Sequence, residues 1–103
     1  MLAHSVFFSL HDNSPEAIAR LIEACERDLR DHPGVVHFFV GTLNRELDRP
    51  VNDRNFDVAL HLFFASHRWH DAYQVSSSHQ KFVRENESNW SLVRIFDADV
   101  ETK

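Results

Sequence analysis

The segment FDVALHLFF, residues 56–64, has apolar side chains at every second position and further bulky ones between them. Because a β-strand points successive side chains to opposite faces of a sheet, this segment predicts a strand with two distinct faces. One face holds Val58, Leu60, Leu62 and Phe64, and the other holds Asp57, Ala59, His61 and Phe63. A sheet made from such strands must cover both of its faces, since large exposed apolar patches are rare in monomers.

Three other segments carry strand patterns. With the segment above, extended to 55–65, the predicted strands are residues 2–10, 35–43, 55–65 and 91–99. Phenylalanine supplies nine of the twelve aromatic residues. The second face of the predicted sheet is therefore also bulky, with Phe7, Phe63, Phe96 and one of Phe38 or Phe39.

Two segments predict helices on the same side of this sheet. Ser14 is a typical N-cap and Pro15 fits the first helical turn, so a helix is expected over residues 14–31. Apolar residues recur along it at three- and four-residue steps, which is typical of an amphipathic helix. A second helix is expected over 66–87, broken by the serine cluster at 76–78.

The predicted order is β-α-β-β-α-β, which is typical of a ferredoxin-like α+β fold with a four-stranded antiparallel sheet and both helices on one face. A second copy of the sheet, related by twofold symmetry, is the simplest cover for the open face. The sequence therefore predicts a homodimer through the sheet face, forming a dimeric α+β barrel.

Length and composition limit the function classes. A chain of 103 residues has room for one domain, and a net charge of −5 argues against a nucleic-acid surface. No apolar run approaches the roughly 20 residues that span a bilayer, so no membrane partner is expected. Cys25 has no second cysteine to pair with, and MLAHSVFFSL lacks a basic start and a long apolar run. We therefore expect a cytoplasmic protein.

Several short motifs together resemble the stress-responsive A/B barrel domain (Dabb) family over nearly the whole chain. Each motif is only a strand or helix fragment, and the resemblance rests on their order and spacing. The motifs are His4-x-Val6-x-Phe8, PGV at 33–35, VG at 40–41, FDVALHLFF followed by Ser66, AYQ at 72–74 with His79 and F-V after it, and IFD at 95–97.

The resemblance implies a candidate site. Family members are mostly of unknown function, but one plant member is a polyketide cyclase in which a Tyr and a His face a cavity between sheet and helices. Those residues correspond here to Tyr73 and His79, with His4 and Asp97 as polar residues nearby. The chain departs from the family pattern at the serines 76–78, which replace a His-Pro before the second histidine, and at Val58, where the cyclase has another histidine.

The chemistry of this pair allows two interpretations. A histidine can accept a proton at neutral pH, and a phenol can hydrogen-bond a developing enolate, with Asp97 or His4 orienting the His79 ring. Alternatively, Tyr73 and His79 seal the core as hydrogen-bonded buried groups. Six residues apart, they converge only if the serine cluster bends the helix. The apolar residues expected to line a pocket there are Val6, Phe8, Leu60, Phe82 and Ile95.

No cofactor and no metal are expected from the sequence. His67 and His70 stand three residues apart with Asp71 beside them, but two histidines do not make a metal site, and a third ligand such as His79 or Asp57 would be needed. Asp57 is instead predicted to pair with Arg94 on the dimer face, within or between subunits.

Three functions are compatible with these features. The first is a Dabb protein of uncharacterised role, a homodimer with a small-molecule pocket. The second is a cyclase- or lyase-type enzyme that uses the Tyr/His pair on an aromatic or polyketide-like molecule. The third is a purely structural dimer module whose pocket is filled by side chains.

Overall fold

A computed structural model of the chain describes residues 1–101 and contains four strands and three α-helices in that range. In chain order they are β1 (Leu2–Leu10), α1 (Pro15–Asp28), β2 (Val35–Thr42), β3 (Val58–Phe64), α2 (His67–Gln74), α3 (Ser77–Asn86) and, after a short 3₁₀ turn (Glu87–Asn89), β4 (Trp90–Asp99). The predicted β-α-β-β-α-β order is confirmed, with the second helix divided into α2 and α3.

The strands form one antiparallel sheet in the order β2-β3-β1-β4. At its centre, Val6 lies opposite Leu60 of β3 and opposite Ile95 of β4. Alternate side chains of β1 and β3 are buried against the helices, which supply Leu21, Tyr73 and Phe82 to the same core, together with Leu29 just after α1. The helices therefore cover one face only, as in the predicted ferredoxin-like fold.

The start of α1 follows from its capping residue, and its end from the turn that leads into β2. The Ser14 hydroxyl accepts a hydrogen bond from the Ala17 N–H at 3.2 Å. The helix ends at Asp28, three residues before the predicted end, and the chain then turns through Gly34. Gly34 has a φ of +90°, which glycine adopts without strain, and the Trp69 side chain packs where a Cβ would stand. A tight turn and a helix contact thus both require a glycine here.

The helices are short for a membrane-spanning element. α1, the longest, has 14 residues. Within residues 1–101, no helix has the length and apolar character that crossing a bilayer requires.

The start of β3 differs from the prediction, and this changes the predicted ion pair. The Asp57 carboxylate accepts a hydrogen bond from the Leu10 N–H at 2.8 Å, so the chain bends there and β3 begins at Val58. Asp57 therefore stands before the strand alternation begins. The predicted pair between Asp57 and Arg94 does not form within the chain, and Arg94 instead binds the Asp53 carboxylate at 2.6 Å.

The face of the sheet away from the helices carries a cluster of aromatic rings, as predicted. Phe7 contacts both Phe56 and Phe96, and Phe63 contacts Phe39. The register places Phe39 opposite His61 on this face, whereas Phe38 packs against the core. Phe96 is 54% exposed. We call this surface, formed by Phe7, Phe39, Phe63 and Phe96, the open face.

Candidate functional site

The break between α2 and α3 is built around one serine. The Ser76 hydroxyl donates a hydrogen bond to the Tyr73 carbonyl at 2.8 Å and accepts one from the His79 N–H at 3.2 Å. Ser76 has extended backbone angles and caps α3, while Val75 ends α2. Ser76 therefore produces the bend that the sequence predicted for the serine cluster, and it does so without a proline.

The bend brings Tyr73 and His79 together. On one continuous helix, residues six apart point in different directions, since neighbouring side chains are three or four residues apart. Here the two rings meet edge to face with their centroids 4.8 Å apart. Both side chains line one cavity between the sheet and the helices.

This cavity has a volume of about 130 Å³. All five apolar residues expected to line it do so: Val6, Phe8, Leu60, Phe82 and Ile95. The wall also contains residues that the sequence pattern did not indicate, namely Gln74, Val83, Trp90 and Val93. Trp90 belongs to the last strand, and its indole N–H is buried without a hydrogen-bond partner among residues 1–101. The lining is thus mainly apolar, with a few polar groups.

Burial sets the protonation of both rings. It lowers the pKa of His79, and the nearby histidines His4, His70 and His32 lower it further by charge repulsion. Burial raises the pKa of Tyr73. At neutral pH the cavity therefore contains a neutral imidazole and a neutral phenol, which can accept and donate a proton respectively.

His4 and Asp97, the two predicted orienting residues, are bonded to each other. They lie opposite one another on β1 and β4, and His4 Nδ1 is 2.5 Å from the Asp97 carboxylate. His4 is the one buried polar residue of the part of the chain that the structure describes, at 3% exposure. Within residues 1–101, neither His4 nor Asp97 forms a hydrogen bond with the His79 ring. Their contact with the pair is through Tyr73, whose ring centroid is 6.1 Å from that of His4.

Sequence reasoning missed two histidines near the candidate site. His32, which lies between α1 and β2, packs its ring 5.5 Å from that of Tyr73. His70, considered only as a candidate metal ligand on the helix surface, lies 4.9 Å from the ring of His4. No local pattern marks either one, because the contacts join residues from different elements.

Two groups in residues 1–101 place three potential metal ligands within 4.8 Å of one another. One is His67, His70 and Asp71, on α2. The other is His4, His70 and Asp97, from three different elements. Neither His79 nor Asp57, the predicted third ligands, belongs to either group.

Comparisons with known proteins identify a family. The profile of the Stress responsive A/B Barrel Domain family, Dabb, matches residues 2–100. Among curated protein sequences, none is significantly similar to this chain.

Solved structures show the same fold at low sequence identity. A Dabb family protein with a ferredoxin-like fold from Mesorhizobium loti is 20% identical, with 98% of this chain and 97% of that chain covered and a TM-score of 0.79. A dimeric ferredoxin-like protein of unknown function from Thermobifida fusca is 16% identical, with 96% and 90% covered and a TM-score of 0.77. Hydroxynitrile lyase from Passiflora edulis is 19% identical, with 99% and 94% covered and a TM-score of 0.77.

Proposed function

Because the chain belongs to the stress-responsive A/B barrel (Dabb) family, a family of uncharacterised biochemical role, we propose that it is a homodimer whose subunits each bind a compact small molecule. The ligand occupies the cavity between the sheet and the helices. The observation that carries this proposal is the meeting of Tyr73 and His79 at the wall of an apolar cavity.

The dimer is proposed from the open face. Its four phenylalanine rings are partly or largely exposed in the single subunit, and Ser5 and His61 form a hydrogen-bonded polar pair between them. A twofold copy of the same surface would cover these rings. The Thermobifida fusca protein of the same fold is described as dimeric, which supports this arrangement.

The cavity volume restricts the ligand. Pockets for drug-sized molecules usually measure about 300–1,000 Å³, whereas an engineered cavity of about 150 Å³ binds benzene. At about 130 Å³, this cavity suits a molecule with one ring or a short chain. Its size therefore favours small aromatic ligands over large polyketide-like ones.

A second candidate function is enzymatic, of the cyclase or lyase type. His79 would take a proton from the ligand, and Tyr73 would donate a hydrogen bond to its oxygen. The lowered pKa of His79 supports this, because the base must be neutral to act. The His4 ring, which is hydrogen-bonded to Asp97, would pack against the Tyr73 ring and hold it in position. A relative of the same fold is a hydroxynitrile lyase, which is consistent with acid-base chemistry in this architecture.

The third possibility is a structural dimer module in which the cavity takes no ligand.

For location, we propose the cytoplasm, because the one cysteine, Cys25, is fully buried and free. Burial raises the pKa of its thiol to about 12, so Cys25 acts as a small apolar core residue.

The test of binding is ligand-observed NMR with a panel of single-ring phenols, aromatic aldehydes and aromatic acids. The wild type is compared with His79→Ala and with His11→Ala, an exposed histidine outside the cavity. We expect compounds that bind the wild type and His11→Ala equally and lose at least tenfold in affinity with His79→Ala. Binding by none of the three folded proteins would contradict the pocket proposal and leave the structural module.

The enzymatic candidate has its own readout. Single-ring aryl ketones and arylacetaldehydes, which carry hydrogens on the carbon next to the carbonyl, are incubated with the protein in D₂O, and exchange of those hydrogens is followed by NMR. General acid-base catalysis contributes roughly 10²–10⁴-fold, so exchange should fall by about that factor in His79→Ala and less in Tyr73→Phe. Equal exchange rates in the wild type and His79→Ala would rule out His79 as the base while leaving binding intact.

A further inference from the structure

We propose that His4, His70 and Asp97 form a binding site for a divalent transition-metal ion of the Zn²⁺ class. Each residue offers one ligand atom, and the three atoms lie within 4.8 Å of one another. The proposal concerns metal binding and does not depend on any reaction of Tyr73 and His79.

The three ligands are held by three different elements. His4 and Asp97 are register partners on neighbouring strands, with side chains on the helix-covered side, and α2 carries His70 above them. The His4 ring is fixed by its burial and by contacts with Phe64 and Tyr73. Sites held by strands and helices are more precisely positioned than sites on loops.

The nitrogen atoms of His70 have only weak partners in the structure. The side chain is 15% exposed, yet His70 Nδ1 lies 3.4 Å from the Asp71 carboxylate and His70 Nε2 lies 3.4 Å from the Gln74 amide nitrogen. Both distances exceed the usual range for an N–H···O hydrogen bond. A metal ion would give this largely buried imidazole the strong partner that it lacks.

The ligand set selects the class of ion. Two imidazole nitrogens and one carboxylate oxygen suit Zn²⁺ and related ions, whereas Mg²⁺ and Ca²⁺ prefer oxygen ligands. Bond lengths of about 2.0–2.2 Å at tetrahedral angles place ligand atoms about 3.3 Å apart. The pair of His4 and Asp97, now at 2.5 Å, must open by less than about 1 Å, and Asp97 has room because its side chain is 42% exposed on an edge strand.

Three protein ligands leave a coordination position open. Zinc sites with three protein ligands bind water or substrate at the fourth. His4 also lines the cavity of Tyr73 and His79, so the ion would lie beside the proposed pocket. An anionic or carbonyl-bearing ligand in that pocket could then reach the ion.

A second arrangement competes with this one. His67, His70 and Asp71 also lie within 4.8 Å, but the His67 side chain is 76% exposed and all three stand on α2. The two sites share His70 and differ in the other ligands, which makes them separable by substitution.

The experiment is calorimetric titration of Zn²⁺ into protein previously treated with a chelator and dialysed. The proteins are the wild type, Asp97→Asn, which keeps the carboxylate's shape, and His67→Ala as the matched control. Loss of an outer-shell partner weakens metal affinity by roughly 10–100-fold, so loss of a ligand in Asp97→Asn should weaken it at least that much. His67→Ala should bind as the wild type does.

Co²⁺ titration followed by visible absorption identifies the ligand geometry, and far-ultraviolet circular dichroism shows whether each variant is folded. If Asp97→Asn fails to fold, His70→Gln serves in its place, since it removes a ligand common to the two sites, and His67→Ala still separates them. Weakened binding in His67→Ala with unchanged binding in Asp97→Asn would place the ion on the surface of α2 and overturn the proposal. Absence of a stoichiometric site in the wild type would overturn it as well.

Discussion

The two faces of the single sheet differ in what covers them. Phe64 and Phe63 are neighbours on β3, and Phe64 is fully buried under the helices while Phe63 lies on the open face. Around Phe64 the core is closed by helical residues such as Tyr73 and Phe82. Phe63 instead contacts another exposed ring, that of Phe39.

The difference shows how one short chain divides its apolar residues between stability and association. The covered face closes within the subunit and leaves a small cavity where the helix breaks. The open face has the composition of a core but no second layer in the subunit. Substitutions on the two faces should therefore affect different measurements.

The largest expected effect comes from truncating a ring on the covered face. Phe64→Ala should lower the free energy of unfolding by about 3–5 kcal/mol, because it removes a fully buried ring and leaves a cavity. Phe63→Ala removes a phenylalanine ring from the open face and should lower the free energy of unfolding of the subunit by distinctly less. Urea denaturation of both variants tests this, and equal losses would mean that the two faces are equally buried in the protein as it exists in solution.

A substitution at Gly34 tests how closely α2 packs against the turn before β2. Gly34→Ala should cost about 2–4 kcal/mol, since it places a Cβ at positive φ and against the Trp69 side chain. The control is Gly41→Ala on β2, where nothing lies within 4 Å of the added Cβ. Thermal unfolding should separate the two variants clearly, and a shift for Gly41→Ala as large as that for Gly34→Ala would contradict the assigned packing.

A charge on the open face tests its role in association. Phe96→Asp should weaken the proposed dimer by about 2 kcal/mol or more, roughly 30-fold in the dissociation constant. Sedimentation equilibrium measures this over a range of concentrations. The matched substitution in the exposed turn between α2 and α3, Val75→Asp, should leave the mass unchanged. A dimer that tolerates Phe96→Asp must use another surface.

Ser76 links the covered face to the site. Ser76→Ala removes the cap of α3 and the bond to the Tyr73 carbonyl, and should cost about 1 kcal/mol of stability. It should also weaken ligand binding, because the relative positions of Tyr73 and His79 depend on this bend. Ser77→Ala, one residue on and exposed, is the control in both chemical denaturation and NMR binding. Equal stability and equal ligand affinity of the two variants would show that Ser76 does not position Tyr73 and His79.

The smallest expected effect is a dependence of stability on pH. The pKa of His79 is lowered in the folded protein, mainly by burial and also by His4, His70 and His32. The unfolded chain therefore binds a proton more readily, and stability should fall as the pH drops below the ordinary histidine value of 6.5. In His79→Gln this fall should be shallower between pH 7 and pH 5. Parallel curves for the two proteins would show that His79 titrates normally.

Much of the fold could be predicted from local patterns. Strand patterns identified all four strands, the Ser14 cap followed by Pro15 located the start of α1, and the serine cluster indicated the break before α3. The start of β3 differed from the prediction because a tertiary hydrogen bond intervenes there. Asp57 bends the chain by accepting a bond from Leu10, a residue 47 positions away, so no local pattern could reveal it.

The candidate site could be predicted only in part from the sequence. Tyr73 and His79 could be named from a family resemblance, and their meeting depended on a bend whose angle no residue pattern specifies. The contacts of His32 with Tyr73 and of His70 with His4 could not be predicted, because they join residues from distant parts of the chain that meet only when it is folded.

By itself, the sequence determined the elements, the two-faced character of the sheet and the need for a second cover, because these follow from side-chain periodicity and apolar content. The tertiary structure alone decided that Phe39 rather than Phe38 joins the open face, that Arg94 pairs with Asp53, and that the ligand atoms of His4, His70 and Asp97 lie within 4.8 Å of one another. Periodicity acts over a few residues, whereas strand register and helix packing fix which distant side chains become neighbours.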